Sequence, residues 1–326
     1  MLISGKEYTA VDTREKITMA DSFVIGSNKL GSGNGESKLY IGNEGNSLRS
    51  FYGSIGFNIK SFLLKQDLLN FHIGLRPEYK SPQLEYRKKD KLSELYDRRL
   101  EKINDLPEII FFNLQEQTQI DGPRIYVNST DTNYQLIREL SLPNLSYISL
   151  MKITSSTGEI LFYIRLFTDF MDSFGVTEHP AAIEEEEMSI SANTKLTDDQ
   201  KLQTVKARIG QGKYRKNLLE QCPFCPITLV SDDRLLIASH IKPWAASDQF
   251  EKTDPKNGFM FTPTIDYLFD SGFITFDDKK KMYISPWLSK PTISRLNLKP
   301  LSIVDLLPID GRQNYLEYHR NTIFKK

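Results

Sequence analysis

Cysteine is nearly absent from this chain: Cys222 and Cys225 are the only two in 326 residues. That excludes a disulfide-stapled secreted fold and points to a reducing compartment. No stretch approaches the roughly 18 consecutive apolar residues of a membrane span. The opening MLISGKEYTAVD lacks the basic start and apolar run of a signal peptide, so a cytoplasmic protein is expected. Net charge is absent too, with 42 Lys+Arg against 42 Asp+Glu, so the whole-chain balance carries no hint of nucleic acid. The glycine-rich segment GSGNGESKLYIGNEGNS has no Gly-Lys-Thr ending and no strand–loop–helix frame, which excludes a phosphate loop. There is no zinc-finger or basic-zipper motif.

What is present reads as two domains in an α+β protein. Residues 1–171 form a strand-rich mixed domain. SKLYIG, GSIGFNIKSFLL, LNFHIGL, EIIFFNL, RIYV, SYISLMKI and EILFYIRLF are β-branched and aromatic runs bounded by Gly, Asn, Asp or Pro. One helix interrupts them over about 84–104, with Leu92, Leu95, Tyr96, Arg99, Leu100 and Ile103 at helical spacing. Its other face, with Arg87, Lys88 and Lys89, is either a solvated charged face or a DNA-facing one. Residues 172–197 are polar and acidic, with the run EEEE, and read as a linker. Residues 198–326 carry an excess of about five positive charges, compatible with a phosphate-binding face.

The chemistry concentrates in 235–276. His240 ends the strand-like LLIASHI, and a histidine, with an ordinary pKa near 6.5, is suited to deprotonate water near neutral pH. Asn257 can hold that histidine, or brace the loop presenting it, through its amide. Asp266 and Asp270 stand at i and i+4, on one face of a helical turn, where they can bind a hard cation. Read alone, each has a plainer meaning: Asn257-Gly258 is a turn signal, Asp270 a helix-capping residue, and Trp244 a core residue. His72 and His179 have no partners in sequence and no catalytic role is expected of them.

These residues sit inside a series of spaced motifs: RIGQGKYR at 208–215, ASHIKPW at 238–244, NG at 257–258, DYLFDSG at 266–272 and YLEYHRNTIF at 315–324. In that order they resemble the HNH endonucleases of the ββα-metal type, in the bacterial restriction-type branch. The resemblance covers about residue 200 to the C-terminus. It implies a ββα-metal domain in which His240 is the general base and Asn257 the central asparagine. It also implies that Asp266 stands where the family has its final histidine, and that Asp270 is a second ligand borne on the same helix. Carboxylates in place of histidine favour Mg²⁺, with Mn²⁺ substituting. Structural zinc is not expected, since Cys222 and Cys225 have no second pair and tetrahedral zinc needs four ligands. His319 is the one further ligand the tail could add. Arg208, Arg215 and Lys242 are candidates for contact with DNA phosphates.

The implied function is a restriction endonuclease acting on double-stranded DNA at a short sequence, the first domain supplying the address. A homodimer would cut both strands, and a cognate methyltransferase would be its companion. The alternatives are a modification-dependent or phage-defence nuclease that senses an altered base, and a DNA-binding protein without catalysis.

Overall fold

The computed structural model describes residues 1–30, 36–82, 84–86, 91–117, 122–168 and 212–326. Arg87, Lys88, Lys89, His179, the acidic 172–197 segment and Arg208 lie outside the described residues. The chain divides into two compact units, Met1–Phe170 with Ser289–Thr292, and Met171–Leu288 with Ile293–Lys326. Among the described residues no helix is long and apolar enough to cross a membrane.

The first unit is built on one eight-stranded sheet. Its strands are β1 (Leu2–Ile3), β2 (Lys6–Thr18), β3 (Leu39–Asn43), β4 (Asn58–Leu64), β5 (Ile109–Gln117), β6 (Arg124–Asn128), β7 (Ser146–Ser155) and β8 (Ile160–Thr168). They lie in the order β1-β2-β7-β8-β4-β5-β6-β3. Every pairing is antiparallel except β4 with β8, which run parallel with Phe62 opposite Tyr163. Their rings stack at 5.0 Å, so an aromatic pair marks the one parallel junction. In β7 six consecutive residues, Ser146–Met151, are buried, the pattern of a central strand covered on both faces.

Among the described residues the sheet is accompanied by the helices α1 (Asn46–Tyr52), α2 (Lys65–Gly74), α3 (Arg76–Lys80), α4 (Leu92–Asn104) and α5 (Gln135–Leu140). Two sequence expectations change here. LNFHIGL is helical, within α2. Leu68, Phe71, His72 and Leu75 face inward while Ile73 is 54% exposed, so the 3.6-residue period prevails over the local apolar alternation. The thirteen-residue β2 has no run in the list of expected strands. Its sequence KEYTAVDTREKIT is largely polar, and register shifts at Ala10/Asp12 and Arg14/Ile17 break its period of two. The helix expected from 84 begins at Leu92, with 84–86 outside it.

α4 buries Leu92, Leu95, Tyr96, Arg99 and Ile103. Arg99, 1% exposed, donates to Asn28 Oδ1 at 2.8 Å and to the Tyr79 hydroxyl. Asn28 in turn donates to the carbonyls of Glu139 and Ser141. The guanidinium thus ties α4 to α3 and to the segment after β2. His72 stacks on Tyr96 at 4.5 Å and its Nε2 meets the Tyr96 carbonyl at 2.8 Å, a structural placement.

Arg99→Ala strands the Tyr79 hydroxyl in the core and leaves Asn28 Oδ1 with the Ser27 hydroxyl alone. It is expected to lower stability by about 2–4 kcal/mol in urea denaturation, with Arg99→Lys losing less because it keeps one donor. A change below about 0.5 kcal/mol, the level of an ordinary surface substitution, would show that this network does not hold the unit together.

Candidate active site

The second unit presents a two-stranded ribbon, a long loop and a short helix. β9 (Ile237–His240) pairs antiparallel with β10 (Gly258–Phe261), His240 lying opposite Gly258. The intervening loop, 241–257, is closed by Asn257, which is fully buried. Its Oδ1 accepts the Lys242 N–H at 2.8 Å, while Nδ2 reaches the carbonyls of Lys242 and Glu251, both at 3.1 Å, and the Ser247 hydroxyl at 3.3 Å. One amide therefore satisfies groups at both ends of the loop. The loop supplies its own turn as well: Asp248 Oδ1 accepts the N–H groups of Phe250 and Glu251.

His240 is held on three sides. Its Nε2 lies 3.1 Å from the Lys252 carbonyl oxygen. A carbonyl only accepts, so Nε2 carries the proton and the lone pair is on Nδ1. The Tyr214 ring stacks on the imidazole, centroids 4.1 Å apart and 14° from parallel, and Trp244 meets it edge-on at 5.6 Å. Burial holds the imidazole below its ordinary 6.5, with the Lys252 hydrogen bond opposing. The ring is therefore neutral, in the form that accepts a proton, at pH 7. Trp244, expected in the core, is only half-buried, because Pro243 and the 3₁₀ turn Trp244–Ala246 turn it towards the His240 edge. The fully buried tryptophan is Trp287.

Tyr214 belongs to the helical residues 212–221. Its hydroxyl donates to the Asn257 carbonyl at 2.9 Å, so one side chain touches both the histidine and the loop closure. This approach requires Gly258. A Cβ there would lie 1.9 Å from the Tyr214 hydroxyl and 2.7 Å from the Ser239 carbonyl. The Asn-Gly dipeptide therefore marks a close contact, and its glycine opens β10.

α6 (Pro263–Asp270) carries the two aspartates. Proline opens it, where the missing N–H has no helical partner to lose. Ile265, Leu268 and Phe269 face inward, and Phe269 joins Phe259, Phe261 and Phe276 in a fully buried ring cluster. The helix ends at Gly272, φ 71°, where a Cβ would lie 2.1 Å from the Ile323 carbonyl oxygen. Asp266 is hydrogen-bonded by the Ser239 side chain, and burial raises its pKa. Asp270 is pushed up to about 7, first by burial and then by the charge of Asp266. Ser239 precedes His240 in β9, the strand against which α6 and its two aspartates pack.

Two partly buried carboxylates that repel one another, with a hydroxyl beside them, fit a hard divalent cation. Mg²⁺ takes one or two protein carboxylates and fills its remaining positions with water and phosphate oxygens. The residues here match that demand. Among the described residues no group of three or more His, Cys, Asp or Glu comes together as a cage. Ser239 was not singled out from sequence; its place beside His240 on a strand packed on α6 is the signal.

The C-terminal segment braces the same loop. Arg312, 1% exposed, donates Nε to the Gly258 carbonyl at 2.9 Å and a terminal nitrogen to that of Pro255 at 3.2 Å. In α7 (Gln313–Tyr318), the Tyr315 hydroxyl donates to Asp254 at 2.8 Å. His319 has both nitrogens engaged, Nδ1 with Thr275 Oγ1 and Nε2 with the Phe269 carbonyl, each at 2.9 Å, and burial lowers its pKa to about 4. It has no lone pair to offer a metal. Cys222 and Cys225 are buried free thiols. Arg215 donates to the carbonyls of Leu236 and Asp233, and Lys242 pairs with Glu251 at 2.5 Å, so both are engaged within the unit. Arg320 does likewise with the Phe276 carbonyl and Asp278.

Gly258→Ala is expected to destabilise the protein by about 2–4 kcal/mol in thermal or urea unfolding, as overpacking against backbone does. Adding Tyr214→Phe removes the 1.9 Å contact but leaves the 2.7 Å contact with Ser239. The double variant should therefore recover only part of the loss. Full recovery, or no loss in Gly258→Ala, contradicts this packing.

No curated protein matches the chain. Residues 225–277, from Cys225 through β9, β10 and α6 to the end of the strand Ile274–Phe276, match the sequence model of the HNH endonuclease family. The second unit thus carries an HNH endonuclease domain, and with it a nuclease activity that implies DNA as substrate and a divalent metal as cofactor.

Proposed function

We propose that the chain is a restriction-type endonuclease that hydrolyses double-stranded DNA with Mg²⁺, Mn²⁺ substituting. The observation that carries the roles is the fixed tautomer of His240, whose Nδ1 has no hydrogen-bond partner among the described residues, at the end of the strand on which α6 with Asp266 and Asp270 packs. His240 is the general base: it takes a proton from water at Nδ1, and its Nε2–H stays on the Lys252 carbonyl throughout. Asp266, Asp270 and the Ser239 hydroxyl would hold the cation, which would supply neutralising charge for the scissile phosphate and the leaving oxygen. Asn257 is a positioning residue that keeps Lys252 and the rest of the loop where His240 meets them. The Tyr214 ring and Trp244 exclude water from two sides of the imidazole.

The domain boundaries at 171 and 198 belong to this reading, with the first unit selecting the site. So does a twofold homodimer, since one centre cuts one strand and a palindromic target matches twofold symmetry. A cognate methyltransferase protecting host DNA completes such a system. A second reading is dependence on a modified base, favoured by an aromatic cavity in the first unit that is described below.

Purified full-length protein with Mg²⁺ is expected to nick and linearise supercoiled plasmid, with chelation abolishing the reaction. His240→Ala should lower the rate by about 10²–10⁴-fold, the contribution of a general base. Methylated and unmethylated plasmid run in parallel separate the two readings. If wild-type protein cuts neither, or His240→Ala matches it in every assay, the nuclease reading falls.

The acid side of the rate profile offers a second check. Both His240 and Asp270 act deprotonated, so cleavage falls as pH drops. At low Mg²⁺ the limiting group is Asp270, pushed up to about 7 by burial and by Asp266. Excess Mg²⁺ displaces that proton and leaves His240, held below 6.5, to set the limb. The midpoint of kcat/KM should therefore move to lower pH as Mg²⁺ rises. A midpoint that stays put contradicts the carboxylate assignment.

A further inference from the structure

The first unit holds a cavity of about 390 Å³ at the free edge of its sheet, within the size range of small-ligand sites. β3 is the outermost strand there, and the chain that follows β2 lines the cavity along with β3 and β6. Tyr40 and Tyr126 are directly opposed across β3 and β6, their rings in tilted contact, 5.6 Å apart and 56° from parallel. The Tyr40 hydroxyl is tied to Asn43 at 2.8 Å, so its ring is held, yet the residue is 43% exposed. Phe23, fully buried, closes the floor. At the mouth, Lys38 lies 5.0 Å over the Tyr126 ring and 2.8 Å from Glu36, and Arg124 is exposed. Aromatic faces, one acceptor-only carboxylate and two cations thus converge on one cavity.

We propose that this cavity binds a single nucleotide extruded from the DNA duplex, one whose base carries an exocyclic amino group. The inference rests on the endonuclease reading above, which makes DNA the substrate. The exposed Tyr40 ring, backed by Tyr126, stacks on one face of the base, replacing a neighbour it loses on leaving the duplex. Glu36 accepts a hydrogen bond from the amino group of cytosine or adenine and has nothing to accept from thymine's carbonyl at that position. Lys38 and Arg124 meet the phosphate. An edge strand suits the purpose, because among the described residues no further strand closes the approach on that side.

The test uses full-length protein and three probes, dCMP, dAMP and dTMP, with binding followed by saturation-transfer NMR. The two amino-bearing nucleotides should bind at least about fivefold tighter than dTMP. The Tyr40→Ala/Tyr126→Ala double variant should lose at least about tenfold for all three, the scale of one stacked base. Glu36→Gln should erase the preference for amino-bearing bases, and Arg124→Ala should weaken dCMP while leaving deoxycytidine unchanged. Circular dichroism melting confirms that each variant is folded. Absence of binding, or binding that the tyrosine and glutamate variants do not alter, overturns the proposal. Plasmid nicking by wild-type protein, run alongside, judges the endonuclease reading separately. Cleavage without nucleotide binding removes the cavity proposal alone, and nucleotide binding without cleavage removes the nuclease reading alone.

Discussion

The buried amide of Asn257 is the interaction on which the rest of the candidate site depends. A loop of some seventeen residues between two four-residue strands has little reason to keep one shape, since closing it costs entropy that two short strands repay poorly. Asn257 offsets that cost by satisfying backbone groups at Lys242 and Glu251 at once. Its own carbonyl accepts from Tyr214 and from the Ile241 N–H, so helix, loop and ribbon meet at one residue. Everything His240 needs follows from this: the Lys252 carbonyl, the Tyr214 ring and the register that sets Gly258 opposite.

The carboxylates obey the opposite logic. Polar groups elsewhere in the unit are placed to satisfy one another, whereas Asp266 and Asp270 are placed to repel. Such a pair works against the folded state above the pKa of Asp270 and becomes favourable only when a cation or a proton sits between the two. A structural role would be better served by one amide and one acid. The fold accepts the repulsion because α6 is anchored independently, through Phe269 in the ring cluster and through Gly272 beneath the C-terminal segment.

How much of this could be read from the sequence depended on how local the chemistry was. The ribbon, the helix and its aspartates were legible because each is specified within a few residues: ASH for a strand end, Asn-Gly for a tight start, Asp-x-x-x-Asp for a helical face. The strand-rich character of the first unit was legible for the same reason in β4, β5, β7 and β8. What escaped was set by partners far along the chain. Nothing near Tyr214 indicates that it stacks on a residue 26 positions later, nothing near Arg312 that its guanidinium braces Gly258, and nothing in the polar β2 that β7 pairs with it. LNFHIGL misled because Phe71, Ile73 and Leu75 alternate, and only tertiary packing shows that Ile73 faces out. Trp244 misled because composition does not reveal which of two tryptophans a turn carries to the surface.

The two described histidines of the second unit, His240 and His319, show why placement and not residue type decides chemistry. His319 is fully buried and His240 partly so, both have a depressed pKa, and both stack on an aromatic ring. His319 gives Nε2–H to the Phe269 carbonyl and accepts from Thr275 at Nδ1, so it ties α6 to the hairpin strand Ile274–Phe276 and retains nothing to react with. His240 also gives Nε2–H to a carbonyl, but no hydrogen bond within the unit claims its Nδ1 among the described residues. The same desolvation that makes His319 an inert strut makes His240 a neutral base with one open lone pair. A single partner, missing among the described residues, separates the structural histidine from the proposed base, and the loop held by Asn257 presents to that base the carbonyl that fixes its tautomer.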